Sequence, residues 1–140
     1  MTNELKNIID NLRKLNDREK YLWLLNEYPL ENKNYFLVFK IIPHFSWGKK
    51  ERTLLMEYYL SNLPFSSELP YLAFLKVSPL SEYLIILDRI IKNKDGEDLS
   101  LFFYYIGRIF EYEVSEVEYE KNKIAIDEIL KNNKSLSKKL

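Results

Sequence analysis

The sequence predicts an all-α protein: an antiparallel stack of about seven or eight short helices, set as HEAT-like helical hairpins or as an irregular bundle. Three observations predict it. Apolar residues recur at i, i+3, i+4 and i+7 in nearly every window, whereas the strict alternation of a half-buried strand hardly occurs. Residues that start and stop helices punctuate the chain about every 15–20 positions, so two helices span about 35–40, close to the period of HEAT-like repeats. No linker or low-complexity stretch breaks this rhythm, which makes 1–132 a single helical domain with a tail, 133–140, expected to fray.

The first helix, 3–15, carries Leu5, Ile8, Ile9, Leu12 and Leu15 on one stripe. Asn16 and Glu19 then form a capping box that opens a second helix, with Tyr21, Leu22, Leu24 and Leu25, which stops before Pro29. A third is expected over 34–42, ending at Pro43, although its short, apolar and aromatic run also suits a strand. Ser46 or Trp47 opens a fourth, with Arg52, Leu55, Met56, Tyr59, Leu60 and Leu63 at helical spacing, and Pro64 ends it. The fifth covers 67–77, with Pro70 in its first turn. Ser78 and Pro79 set the cap and first position of a sixth, whose stripe is Leu80, Tyr83, Leu84, Leu87, Ile90 and Ile91. Asp95-Gly96 is a turn, the seventh helix covers 98–112, and Ser115 with Glu118 forms a second capping box opening an eighth over 116–132.

Composition narrows the class. With 46% hydrophobic and 30% charged residues, the chain has enough of both for a core and a wet surface. It has no cysteine, which removes disulfides, zinc–thiolate sites and thiol nucleophiles and fits a reducing compartment. The N-terminal residues are charged every few positions, unlike a signal peptide. The longest uncharged stretches, 58–67 and 99–107, are about half the length of a membrane span. A soluble, cytoplasmic protein is expected.

Net charge is zero only as an average. Residues 1–94 hold 14 Lys/Arg against 11 Asp/Glu, a net of +3. Residues 95–120 hold Asp95, Glu97, Asp98, Glu111, Glu113, Glu116, Glu118 and Glu120 against Arg108 alone, a net of −7. Residues 121–140 hold six lysines against Asp127 and Glu128, a net of +4. Charge is segregated along the chain.

Catalytic chemistry finds few candidates. The three glycines, Gly48, Gly96 and Gly107, lie far apart and build no phosphate-cradling loop. The single histidine, His44, has no neighbouring acid in the sequence to orient it, and reads as a loop or interface residue. Carboxylates fall at helix ends and on polar faces, where Glu116 and Glu118 suit the first turn of a helix. Basic residues are mixed with acids, so no stripe for nucleic acid forms. The expectation is a protein that is not an enzyme, with no cofactor and no metal, and with no nucleic acid, membrane or small molecule as its partner.

The seventh helix carries the strongest signal. Its core face takes Leu99, Phe102, Phe103, Ile106, Ile109 and Phe110, which leaves Leu101, Tyr104, Tyr105, Arg108 and Tyr112. That remainder is too apolar for an ordinary solvent face, so the helix is either buried all round or displays aromatics outward. Tyrosine and arginine are enriched at interface hot spots, and here they adjoin the acidic segment. The candidate partner surface is therefore Asp95, Glu97, Asp98, Tyr104, Tyr105, Arg108, Glu111, Tyr112, Glu113, Glu116, Glu118, Tyr119 and Glu120. Trp47, Tyr58 and Tyr59 are weaker candidates.

A short, cysteine-free, tyrosine-rich helical chain with concentrated acid resembles the small helical, HEAT-like immunity proteins paired with contact-dependent growth-inhibition toxins. The likeness is one of type along the whole chain. Its local echo is Met56-Glu-Tyr-Tyr59, similar to the paired tyrosines of helical nuclease-colicin immunity proteins, and no functional residue is carried over. The resemblance implies stoichiometric blocking of a toxin domain, commonly a basic nuclease, in the cytoplasm. The alternative is a helical adaptor or homo-oligomeric scaffold, suggested by excess apolar surface in the third and sixth helices.

Overall fold

The computed structural model describes residues 1–139, and side chains as far as Asn133. Its elements are α1 (Asn3–Leu12), α2 (Asp17–Glu27), α3 (Val38–Ile41), α4 (Lys49–Leu60), α5 (Leu69–Val77), α6 (Leu80–Lys92), α7 (Ser100–Tyr112), α8 (Glu116–Lys121) and α9 (Lys123–Lys139). Short 3-10 turns, Tyr35–Leu37 and Ile42–His44, flank α3. The described residues are all-α, as the periodicity predicts. The fraying expected of 133–140 falls largely outside the described side chains.

Several boundaries follow the local chemistry. Thr2 caps α1 by accepting the Leu5 N–H at 3.1 Å. The Asn16–Glu19 box is complete, with reciprocal bonds of 2.8 and 3.0 Å. Gly96 turns the chain before α7 at φ 83°, a left-handed conformation that favours glycine.

Three expectations are corrected. The third helix is not continuous over 34–42: α3 is four residues long between two 3-10 turns, and Pro43 lies inside the second turn rather than after the helix. Val38, Phe39, Ile41 and Ile42 are all buried, so packing rather than helical regularity sets this segment. Pro79 is the N-cap of α6, not its first residue, and the Ser78 hydroxyl donates to the Pro79 carbonyl at 3.1 Å instead of capping an N–H. The expected 116–132 helix breaks at Asn122. There the side-chain amide donates to the Glu118 carbonyl at 2.9 Å while the Asn122 carbonyl accepts from Ile126, ending one helix and starting the next.

The elements pack as a ladder in two layers. In one, α2 lies on α4 and α4 on α6; in the other, α3 and its turn lie on α5, and α5 on α7. Contact between alternate elements is what stacked antiparallel hairpins produce. Helix α9 packs against both α6 and α7 and buries Ile126 and Ile129. Edge-to-face rings run along the second layer, with centroids 5.8 Å apart for Phe39–Phe65, 5.5 Å for Phe65–Tyr71 and 5.7 Å for Tyr71–Phe102. Each such pair is worth about 0.5–1.5 kcal/mol beyond its buried area. The chain of rings holds α7 from its inner side.

Candidate docking surface on the seventh helix

The two faces of α7 separate cleanly. Leu99, Phe102, Phe103, Ile106, Ile109 and Phe110 are all buried, the six positions that the helical period assigns to the core. The opposite face is open to solvent: Leu101 is 46% exposed, Tyr104 58% and Tyr112 66%. The helix is therefore not buried all round but displays its aromatics outward.

Arg108 sits between the two outer tyrosines. Its guanidinium lies 5.8 Å from the Tyr104 ring centroid and 5.5 Å from that of Tyr112, within range of the attraction between a cation and a ring face. The spacing 104, 108, 112 places one residue per turn on a single line. Tyr105 is half-buried beside them and donates its hydroxyl to the Ser66 carbonyl at 3.1 Å, anchoring the helix to the connection before α5. Rings stiffened by their neighbours and by a buried inner face lose little freedom on meeting a partner.

The acids are exposed, but they do not form one patch. Asp95, Glu97 and Asp98 precede α7, whereas Glu111, Glu113, Glu116, Glu118 and Glu120 lie around its far end and α8. The 13 residues of α7 separate the two groups by about 20 Å at 1.5 Å per residue. That exceeds the physiological screening length of about 8 Å, so each group acts separately. In the first group, Asp98 accepts the Ser100 hydroxyl at 2.6 Å and its N–H at 3.0 Å, bonds that hold its carboxyl below the usual range, and Glu97 pairs with Lys94 at 3.5 Å. These residues help to start α7.

The second group brackets the corner between α7 and α8, and the corner divides it again. Glu113 and Glu118 line an open groove of about 680 Å³ together with Ser78 and Leu80 at the start of α6. Lys121, 3.9 Å from Glu118, partly neutralises that side. Glu111 and Glu116 line a second groove of about 400 Å³, where Tyr119 and Gly107 also lie. Among the described residues Asp95, Glu111, Glu113, Glu116 and Glu120 have no ion pair and no side-chain hydrogen bond.

The weaker candidates turn inward. Trp47 is buried and donates its indole N–H to the Ile42 carbonyl at 3.0 Å. Tyr59 is fully buried with its hydroxyl 2.9 Å from the Tyr28 carbonyl, and burial pushes its phenol well above the usual pKa. Tyr58 accepts the Leu30 N–H at 2.9 Å. Both tyrosines of the 56–59 echo therefore staple the second connection to α4. His44 is exposed at the end of a 3-10 turn. Sequence reasoning missed exposed Val117 and Ile124, and also the notch beside Gly107. A glycine inside an otherwise regular helix was the available signal for the notch.

The chain matches no protein-family model, no curated protein and no solved structure. Among the described residues no helix is long and apolar enough to cross a membrane, and no group of three or more His, Asp or Glu side chains could hold a metal ion. Among the described residues, Tyr104 and Tyr112 of α7 are the aromatic side chains that the fold leaves exposed.

Proposed function

We propose that this chain is a non-enzymatic docking domain, an immunity protein that binds and neutralises a cognate toxin domain. The observation that supports it best is the Tyr104–Arg108–Tyr112 line, with Leu101 one turn before it, held rigidly and exposed on a helix whose other face is wholly core. Tyrosine and arginine supply large, stiff contact area, which is why they dominate hot spots. The unpaired carboxylates around the end of α7 suit a basic partner, whose approach complementary charge accelerates. Toxin neutralisation is the use of such a surface that the resemblance in type implies.

The test is co-expression. Where a secreted protein is encoded beside this gene, its C-terminal domain is produced in a host with and without this chain, and the absence of any such neighbour counts against the reading. Growth restored only when both are present, together with a stoichiometric complex, supports the reading. A neighbour that is harmless, or lethal regardless, contradicts it.

A homo-oligomeric scaffold remains a second reading because Val117 and Ile124 are 64% and 84% exposed. The apolar side chains of α3 that first suggested it lie inside, and α6 exposes only Ile85 among its large apolar residues. Light scattering separates the two: a stable dimer lost in Val117→Ser with Ile124→Ser favours the scaffold, and a monomer removes it.

A further inference from the structure

We propose that the notch beside Gly107 receives one arginine side chain of the docked partner. The inference rests on the docking reading of α7 and adds the chemistry of a single contact to it.

Gly107 lies in the interior of α7 without needing to be glycine. Among the described residues only Gly96 among the glycines has a positive φ, so the backbone at 107 is open to any residue. A Cβ built there would meet nothing within 4 Å, so no neighbour crowds it out. Glycine nonetheless weakens a helix relative to alanine. What its bare Cα does here is leave open the floor of the groove between α7, α8 and α9.

The walls of that groove suit a cation on a long apolar stem. Phe110, Val114 and Leu130 supply apolar surface, and Glu111 and Glu116 supply two carboxylates without partners among the described residues. Tyr119 adds a half-buried ring. A methylene stem can lie along the apolar part while its charged head stays at the rim. Arginine fits this better than lysine, because a planar, weakly hydrated guanidinium pairs two-pronged with carboxylate and stacks on a ring. Glu111 is four residues from Gly107 and seven from Tyr104, which puts the notch along the edge of the exposed line. The groove at Glu113 and Glu118 lacks this combination, since no aromatic ring lines it and Lys121 pairs with Glu118.

The test is an amide ¹H–¹⁵N titration of the full chain with N-acetyl-arginine amide and with its uncharged isostere, N-acetyl-citrulline amide. The expected result is saturable shifts at Gly107, Glu111 and Tyr119 with the arginine compound and none with citrulline. Gly107→Gln, which fills the notch, and the pair Glu111→Gln with Glu116→Gln should each weaken binding about tenfold or more, the scale of one charge-assisted hydrogen bond. Gly107→Ala, which adds a single methyl group to the groove floor, should keep the fold and weaken the shifts less than Gly107→Gln does. Absent or unsaturable shifts, an equal response to citrulline, or an unchanged response in Gly107→Gln overturns the proposal. Shifts confined to Tyr104 and Tyr112 also overturn it but leave the docking surface standing. Conversely, partner binding that survives Tyr104→Ala with Tyr112→Ala removes the docking surface whatever the arginine titration shows.

Discussion

At Arg52 and Glu82 two side chains, each largely buried, meet through paired bonds of 3.0 Å, and the same guanidinium reaches the Trp47 carbonyl at 3.1 Å. The pair joins the start of α4 to the start of α6, which the ladder sets side by side. Removing Arg52 leaves Glu82 with only the looser contact to Lys49 at 3.9 Å, so Arg52→Ala should cost about 1–3 kcal/mol in urea unfolding. Arg52→Lys should recover only part, because an ammonium cannot reproduce the fork. Gly107→Ala should act oppositely and stabilise by about 0.5–1 kcal/mol, as nothing opposes the added methyl group. A loss of stability there would mean that the notch is less open than it looks.

Among the elements, α7 was the most legible from sequence. Its six core positions follow from the 3.6-residue period because the inner face is continuous and the helix unbroken. The third segment was not legible, since a short, uniformly apolar run carries no period to read. The break at Asn122 was hidden because the apolar spacing continues through it, and the one local signal was an asparagine whose side-chain amide competes for a backbone carbonyl. The groove at Glu113 was invisible because it joins residues 75–81 to 113–122, and the Gly107 groove because the packing angles of α7, α8 and α9 are not written in their periodicity. The division of the acids, by contrast, could have been inferred, since a helix of 13 residues must hold its ends far apart. Charge reversal at Glu111, Glu113, Glu116 and Glu118 should therefore slow association with a basic partner while helicity by circular dichroism stays unchanged. Reversal at Glu97 alone should have little effect, because the other end of α7 lies beyond the screening length.

For the molecule as a whole, three tyrosines buried in the core, Tyr59, Tyr71 and Tyr83, couple stability to high pH. Burial raises all three phenols, that of Tyr71 to about 12, against an ordinary value near 10 in the unfolded chain. Below about pH 10 both states hold these protons and the stabilisation is complete. Above it the unfolded chain binds fewer protons than the native one, so stability falls as pH rises. Urea unfolding should show little phenol-linked change below about pH 10 and a steep loss between about pH 10 and 12, with buried phenolate absorbance arriving together with unfolding. Ionisation of all tyrosines without unfolding would contradict the packing described for Tyr83, whose hydroxyl lies 2.8 Å from the Tyr71 carbonyl.

The fold spends one face of α7 on its core and leaves the other with no structural task. The double variant Tyr104→Ala with Tyr112→Ala, titrated against the toxin domain that the co-expression test identifies, tests that claim most directly. Unfolding free energy should change by no more than about 0.5 kcal/mol per site, while affinity falls about 100-fold or more, the loss of two hot-spot side chains. Partner binding at full strength, or a protein that unfolds when these rings are removed, would contradict it.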